Sequence, residues 1–106
     1  MPVADVRVCA IGDVAPGTAK RVDVDGLRLC VVHLDGEFKV IGDRCSHADY
    51  SLSEGDVWLD EREIECPKHG STFSLDTGEP QTLPATQPVP VFDVQVEGDD
   101  VKVVLP

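Results

Sequence analysis

Short β-branched runs cut by turn residues recur along the chain, a pattern that predicts an antiparallel β domain. VRVCAI (6–11), AKRVDV (19–24), LRLCVVHL (27–34) and EFKVIG (37–42) predict four strands in the first half. Asp25-Gly26 and Asp35-Gly36 separate the last three as tight hairpin turns, since such turns need the left-handed backbone that glycine accepts. DVWLD (56–60) and REIEC (62–66) predict another hairpin, and TFSL (72–75) a short strand closed by Asp76-Thr77-Gly78. VFDVQVEG (91–98) and DVKVVLP (100–106) alternate apolar and polar positions and predict a closing hairpin. The segment EPQTLPATQPVP (79–90) holds Pro80, Pro84, Pro88 and Pro90, which cannot donate to a sheet ladder, so an ordered loop is expected there. No window of ten residues carries a helical stripe. The expected fold class is all-β, an antiparallel sandwich of about eight to ten short strands.

A length of 106 residues predicts a single domain spanning 1–106 with a modest core. Aromatic residues make up only 5% of the chain, so that core must be mainly Val, Leu and Ile. Nine basic against twenty acidic residues give a formal charge of −11. This balance argues against a nucleic-acid partner, which would need clustered Lys and Arg. It is compatible with docking onto a basic protein surface, and also with an acidic surface that serves solubility alone. No apolar run reaches the roughly 20 residues of a membrane span. The start MPVADVRV shows no signal-peptide pattern, so a cytoplasmic monomer away from membranes is expected. In a reducing compartment, four cysteines point to metal binding rather than disulfides.

The candidate chemistry lies in two loops, RCSHADY (44–50) and ECPKHGSTF (65–73). Cys45 and His47 form C-x-H; after 18 intervening residues (48–65), Cys66 and His69 form C-x2-H. A cysteine nucleophile with a histidine base would use one such pair, and the second would be redundant. Zinc also takes Cys₂His₂, but zinc fingers group like ligands and carry the histidines on a helix, whereas here Cys and His interleave. A dinuclear cluster accounts for the interleaving if each loop supplies one ligand to each iron. One iron then receives both thiolates and the other both imidazoles, as in a Rieske 2Fe–2S centre. On spacing alone, mononuclear zinc stays open. Cys9 and Cys30 sit inside apolar runs and read as small core side chains, and His33, at a strand end, reads as structural. An oxygenase would need a second iron held by two histidines and a carboxylate. Beyond the two box histidines only His33 remains, so the chain is not expected to be an enzyme.

The paired boxes resemble those of the Rieske proteins. The nearest likeness is to the small ferredoxins that feed electrons to bacterial aromatic-ring-hydroxylating dioxygenases. CPKHGSTF is similar to their second box, and SLSEG (51–55) and the late proline-rich run are similar as well; the likeness extends from about Arg28 to Leu105. The resemblance implies one 2Fe–2S cluster, with Cys45 and Cys66 on one iron and His47 and His69 on the other. It implies cluster-binding loops at 43–55 and 64–75, and a proline-rich loop at 80–90 covering the cluster from a third side. The spacer is slightly long for these ferredoxins, which implies a larger hairpin around Asp60-Glu61. The implied function is one-electron transfer from a flavin-dependent reductase to a terminal non-haem-iron oxygenase. The alternatives are an accessory ferredoxin of iron–sulfur assembly and the small subunit of an assimilatory nitrite reductase. Between His47 and Cys66 the only base is Arg62, among seven acids, so the rim facing a partner is expected to be negative. Lys68, between two ligands, reads as a solubilising loop residue or a charge that orients a partner.

Rieske proteins of respiratory bc-type complexes differ in two respects. They carry a further cysteine in each box and join the loops by a disulfide; Tyr50 and Lys68 occupy those positions here. They also direct a serine and a tyrosine hydroxyl at the cluster's sulfurs; Ser71 matches the serine, but Phe73 replaces the tyrosine. Fewer hydrogen bonds to sulfur leave the reduced, more negative cluster less stabilised. Redox titration is therefore expected to give a midpoint around −150 mV, well above the roughly −400 mV of an all-cysteine plant-type cluster. A midpoint above about +100 mV would overturn the role assigned to Phe73.

Overall fold

The computed structural model describes residues 4–24, 26–34, 36–44, 50–67, 70–81 and 87–105. Among these lie nine strands: β1 (Ala4–Ala10), β2 (Thr18–Val24), β3 (Leu27–His33), β4 (Phe38–Gly42), β5 (Val57–Trp58), β6 (Glu63–Glu65), β7 (Thr72–Ser74), β8 (Val91–Glu97) and β9 (Asp100–Leu105). The only helical pieces among the described residues are two 3₁₀ turns, Ile11–Asp13 and Leu52–Glu54. The all-β antiparallel expectation holds, with small differences at strand ends. Ile11 begins a 3₁₀ turn instead of ending β1. The DVWLD run contributes only Val57 and Trp58, because Leu59–Arg62 form the turn that precedes β6. That four-residue connection contains Asp60 and Glu61. Asp25 and Asp35 lie outside the described residues. Their neighbours Gly26 and Gly36 both take φ of +81°, as two-residue hairpin turns require.

All the sheet pairing is antiparallel. Six strands run in the order β1-β9-β8-β4-β3-β2, and three more in the order β5-β6-β7. In the larger sheet β4 meets β8 through only two residue pairs, Val40↔Phe92 and Ile41↔Val91. The sheet thus bends at this short seam into two three-stranded halves. Leu29, Val31 and Val40 face the inside of the bend, with Cys9, Val14, Val101 and Val103. Cys30, Val32 and Ile41 face the opposite way, onto Ile64 of β6 and Phe73 of β7. β3 and β4 are therefore buried on both faces, which is why LRLCVVH reads as a continuous apolar run and not an alternating one. Cys9 and Cys30 are buried free thiols, in keeping with their expected core role. His33 stacks on Phe38, with ring centroids 4.2 Å apart, and its Nδ1 donates to the Val14 carbonyl at 2.7 Å. The role is structural, as expected.

An ionic network ties the small sheet to the large one. Arg62 directs one side of its guanidinium at Glu37 (2.9 and 3.1 Å) and the other at Asp76 (2.9 and 2.8 Å). Lys39 on β4 joins both acids, at 2.9 Å to Asp76 and 3.3 Å to Glu37. Arg62 is the one non-glycine residue with positive φ among those described, at +57°. This left-handed backbone costs roughly 1 kcal/mol. The forked ion pairs and the bond from Leu75 N–H to the Arg62 carbonyl (2.9 Å) hold it there. Hydrogen bonds from Arg62 first, and from Lys39 second, hold the Asp76 and Glu37 carboxyls below the usual carboxylate range. A depressed folded-state pKa gives stability that is present in full above the ordinary carboxylate value and is lost as pH falls through the folded one. Chemical denaturation should therefore show wild type more stable than Arg62→Ala at pH 7, by a small margin given the exposure of the network. That margin should shrink as pH drops from 5 toward 2. A margin independent of pH would mean that the network carries no charge-dependent stability.

Candidate metal centre

Three loops, leaving β4, β6 and β7, are each closed at the base by backbone hydrogen bonds. The first begins where β4 ends. Asp43 donates its N–H to the Arg28 carbonyl (3.0 Å) and accepts the Leu52 N–H on its own carbonyl (2.6 Å). Its side-chain Oδ1 accepts the Ser53 N–H at 2.9 Å. Arg44 and Ser51 face each other as an isolated β-bridge, and Arg28 Nη2 donates to Ser51 Oγ at 3.2 Å. Cys45 and His47 lie between these anchors and outside the described residues. The sequence reading assigned no role to Asp43. An Asp directly after a strand often caps a following turn through its side chain, and that was the available signal.

The second loop is tighter. Cys66, directly after β6, donates its N–H to the Ser71 carbonyl (2.7 Å) and accepts the Gly70 N–H (3.0 Å). Cys66 and Ser71 are both fully buried. Lys68 and His69 lie outside the described residues. Phe73 is also fully buried, paired across the sheet with Ile64.

The proline-rich segment leaves β7 and returns beside the first loop. Gln81 N–H donates to Thr72 (2.7 Å), and Ser74 N–H to Glu79 (2.9 Å). On the way back, Val89 N–H donates to Gly78 (2.8 Å) and Gly42 N–H to Pro90 (2.9 Å). The described parts, 79–81 and 87–90, contain no strand or helix, as the prolines predicted. Pro84 and its neighbours 82–86 lie outside the described residues.

The first two loops are also locked to each other. Glu65 N–H donates to the Asp56 carbonyl at 2.9 Å, and Gly55 lies so close to β6 that a Cβ there would overlap the Glu65 carbonyl oxygen. Beneath them Leu52, Cys66, Phe73, Leu75 and Val89 join Cys30 and Ile41 in one buried cluster. The outer face of the small sheet carries Trp58, 45% exposed, whose indole N–H donates to Glu65 Oε1 at 3.1 Å.

No three Cys, His, Asp or Glu side chains gather as a metal site among the described residues, and three of the four expected ligands lie outside them. Cys66, the one expected ligand among the described residues, fits a cluster. Its side chain is fully buried, and its backbone is hydrogen-bonded through both its N–H and its carbonyl.

The family model of the Rieske [2Fe-2S] domain matches residues 4–93. The chain belongs to the Rieske family. Among its relatives, the 3-phenylpropionate/cinnamic acid dioxygenase ferredoxin subunit of Escherichia coli (strain K12) is 41% identical over 101 residues, 95% of this chain and 93% of its own. The ferredoxin of carbazole 1,9a-dioxygenase from Nocardioides aromaticivorans IC177 superposes with a TM-score of 0.91 at 37% identity, covering 94% of this chain and 96% of that one. A ferredoxin seen in complex with its oxygenase in carbazole 1,9a-dioxygenase matches at 42% identity and a TM-score of 0.84, covering 93% and 91%. This Rieske chain is an electron carrier of the ferredoxin type, not the catalyst, and its cofactor is one Rieske-type 2Fe–2S cluster.

Gly55 offers a direct test of how the Rieske loops depend on each other. Gly55→Ala forces Cβ into the Glu65 carbonyl, a backbone group that cannot turn aside. It is expected to cost about 1–3 kcal/mol in denaturant titration and to lower the iron content per chain of the purified protein. A variant with native stability and native iron content would show that the contact between the loops is dispensable.

Proposed function

We propose that Cys45, His47, Cys66 and His69 hold the cluster, thiolates on one iron and imidazoles on the other. In this reading the chain carries single electrons from a flavin-dependent reductase to a terminal non-haem-iron oxygenase that acts on an aromatic substrate. The observation that carries it is the likeness to dioxygenase ferredoxins over nearly the whole length, at 41% identity in sequence and a TM-score of 0.91 in fold. The same relatives make the assembly-linked and nitrite-reductase readings the weaker ones. One domain, 1–106, would present the loops 43–55, 64–75 and 80–90 to its partners. The chain would work as a cytoplasmic monomer, without nucleic acid or membrane. The charge of −11 supports a protein partner of basic character, and no helix among the described residues is long and apolar enough to cross a membrane.

When bound, the cluster supplies a one-electron redox couple. The chain's own residues supply its surroundings. Leu52, Ile64, Phe73 and Leu75 form an apolar floor that keeps water from the Cys66 side. Ser71, buried and five positions after Cys66, stands where the resemblance places a hydrogen bond to sulfur. The acids Asp56, Glu63 and Glu65 on and beside the small sheet leave its outer face negative, which accelerates encounter with a basic partner.

Purified protein is expected to be red-brown, with about two irons per chain and a rhombic low-g EPR signal after reduction. Cys66→Ser should lose the colour. His69→Cys should lower the midpoint where a cluster still assembles, because a thiolate adds negative charge at that iron. A colourless wild-type protein holding one zinc ion would overturn the whole reading. An unchanged midpoint in the His69 variant would remove His69 from the ligand set.

A further inference from the structure

Asp43 is the only acidic residue fully buried among those described. Its oxygens differ in environment. Oδ1 accepts the Ser53 N–H, whereas Oδ2 has no hydrogen-bond partner among the described residues. Oδ2 faces Arg28 Nη2 at 3.8 Å and Arg21 Nε at 4.0 Å, ion-pair distances too long for hydrogen bonds. Burial first, and then the negative charge of Asp43, raises the pKa of the buried Cys30 thiol. Burying a carboxylate is unfavourable unless its partners offset the desolvation, so this position calls for a reason beyond filling space. Its contacts supply one. Through its N–H, its carbonyl and Oδ1, the residue joins β3, Leu52 and Ser53, and so closes the segment that carries Cys45 and His47. The two arginines come from β2 and β3, so the same side chain holds that loop to the large sheet by charge. Asp43 precedes Cys45 by two positions, so chain connectivity alone limits their Cα separation to about 7 Å.

We propose that Asp43 is the positioning residue of the first ligand loop. Its Oδ1 bond to Ser53 holds the loop closed around the cluster, and its charge, fixed between Arg21 and Arg28, keeps the midpoint potential low. The inference rests on the reading of Cys45 and His47 as ligands. It makes separate demands on two substitutions. Asp43→Asn keeps an oxygen for the Ser53 N–H but removes the charge. Asp43→Ala removes both.

The test uses the purified holoprotein, with two readouts: the midpoint from redox titration, and the rate of visible-absorbance loss in excess iron chelator. Asp43→Asn is expected to lose its cluster within about threefold of the wild-type rate and to titrate at a more positive midpoint, since one negative charge no longer opposes the added electron. Asp43→Ala is expected to lose the cluster about tenfold faster or more, as the half-buried Ser53 N–H loses its acceptor. An unchanged midpoint in Asp43→Asn overturns the charge role. Asp43→Ala as retentive as wild type, or Asp43→Asn as labile as Asp43→Ala, overturns the assignment of the lock to the Oδ1–Ser53 bond. Should Asp43→Ala not fold, the two readouts on Asp43→Asn decide the matter. A wild-type protein without a Rieske spectrum overturns the ligand reading instead.

Discussion

Strands β3 and β4 bury alternate residues in two different cores, Leu29, Val31 and Val40 in one and Cys30, Val32 and Ile41 in the other. A strand clamped on both faces cannot slip in register, because a one-residue shift would exchange its two apolar sets. β4 is also the strand that leads directly into the first ligand loop, and its end accepts the returning proline-rich segment through Gly42 and Pro90. The first of these loops therefore starts from a strand packed on both faces. The small sheet packs on the same clamp through Ile64 and Phe73, so both loops and their cover take position from one shared surface.

Loop closure follows a common plan on this frame. Asp43 with Leu52, Cys66 with Ser71 and Gly70, and Gly78 with Val89 each tie the chain just before a loop to the chain just after it. Backbone bonds of this kind satisfy groups that would otherwise be buried and unpaired, and they limit how far the enclosed residues can move. Holding functional groups on such a preorganised frame suits an electron carrier, in which geometry should change little as charge comes and goes.

Charge is distributed to a different end. The network of Arg62, Lys39, Glu37 and Asp76 joins the two sheets at the hairpin turns, at the far end of β6 from Cys66. It uses two of the nine bases of an acidic chain for internal cohesion and leaves the outer face of the small sheet, around Trp58 and Glu65, rich in carboxylates. Stability at the hairpin end and attraction of a basic partner are thereby met by different residues.

Local chemistry was legible without the fold. The two-residue alternation and the Asp-Gly pairs placed the strands to within about two residues, because pleat period and turn preference are properties of adjacent positions. The Cys and His types and their spacing in the two boxes pointed to a mixed-ligand centre, because ligand chemistry travels with the side chain. Tertiary structure decided what depends on residues far apart in the chain. Nothing local marks Asp43 for burial; Arg21 and Arg28, arriving from two other strands, flank its buried carboxylate. Arg62 reads as a lone base among acids; its partners Glu37 and Asp76 lie 25 and 14 positions away. The seam of two residue pairs between β4 and β8, where the large sheet bends around the core of Leu29, Val31 and Val40, also joins segments about fifty residues apart that no local pattern could bring together. Sequence alone placed the strands and marked the two candidate ligand boxes, since both are set within a few residues; long-range packing alone decided which charges are buried and how the loop bases are held.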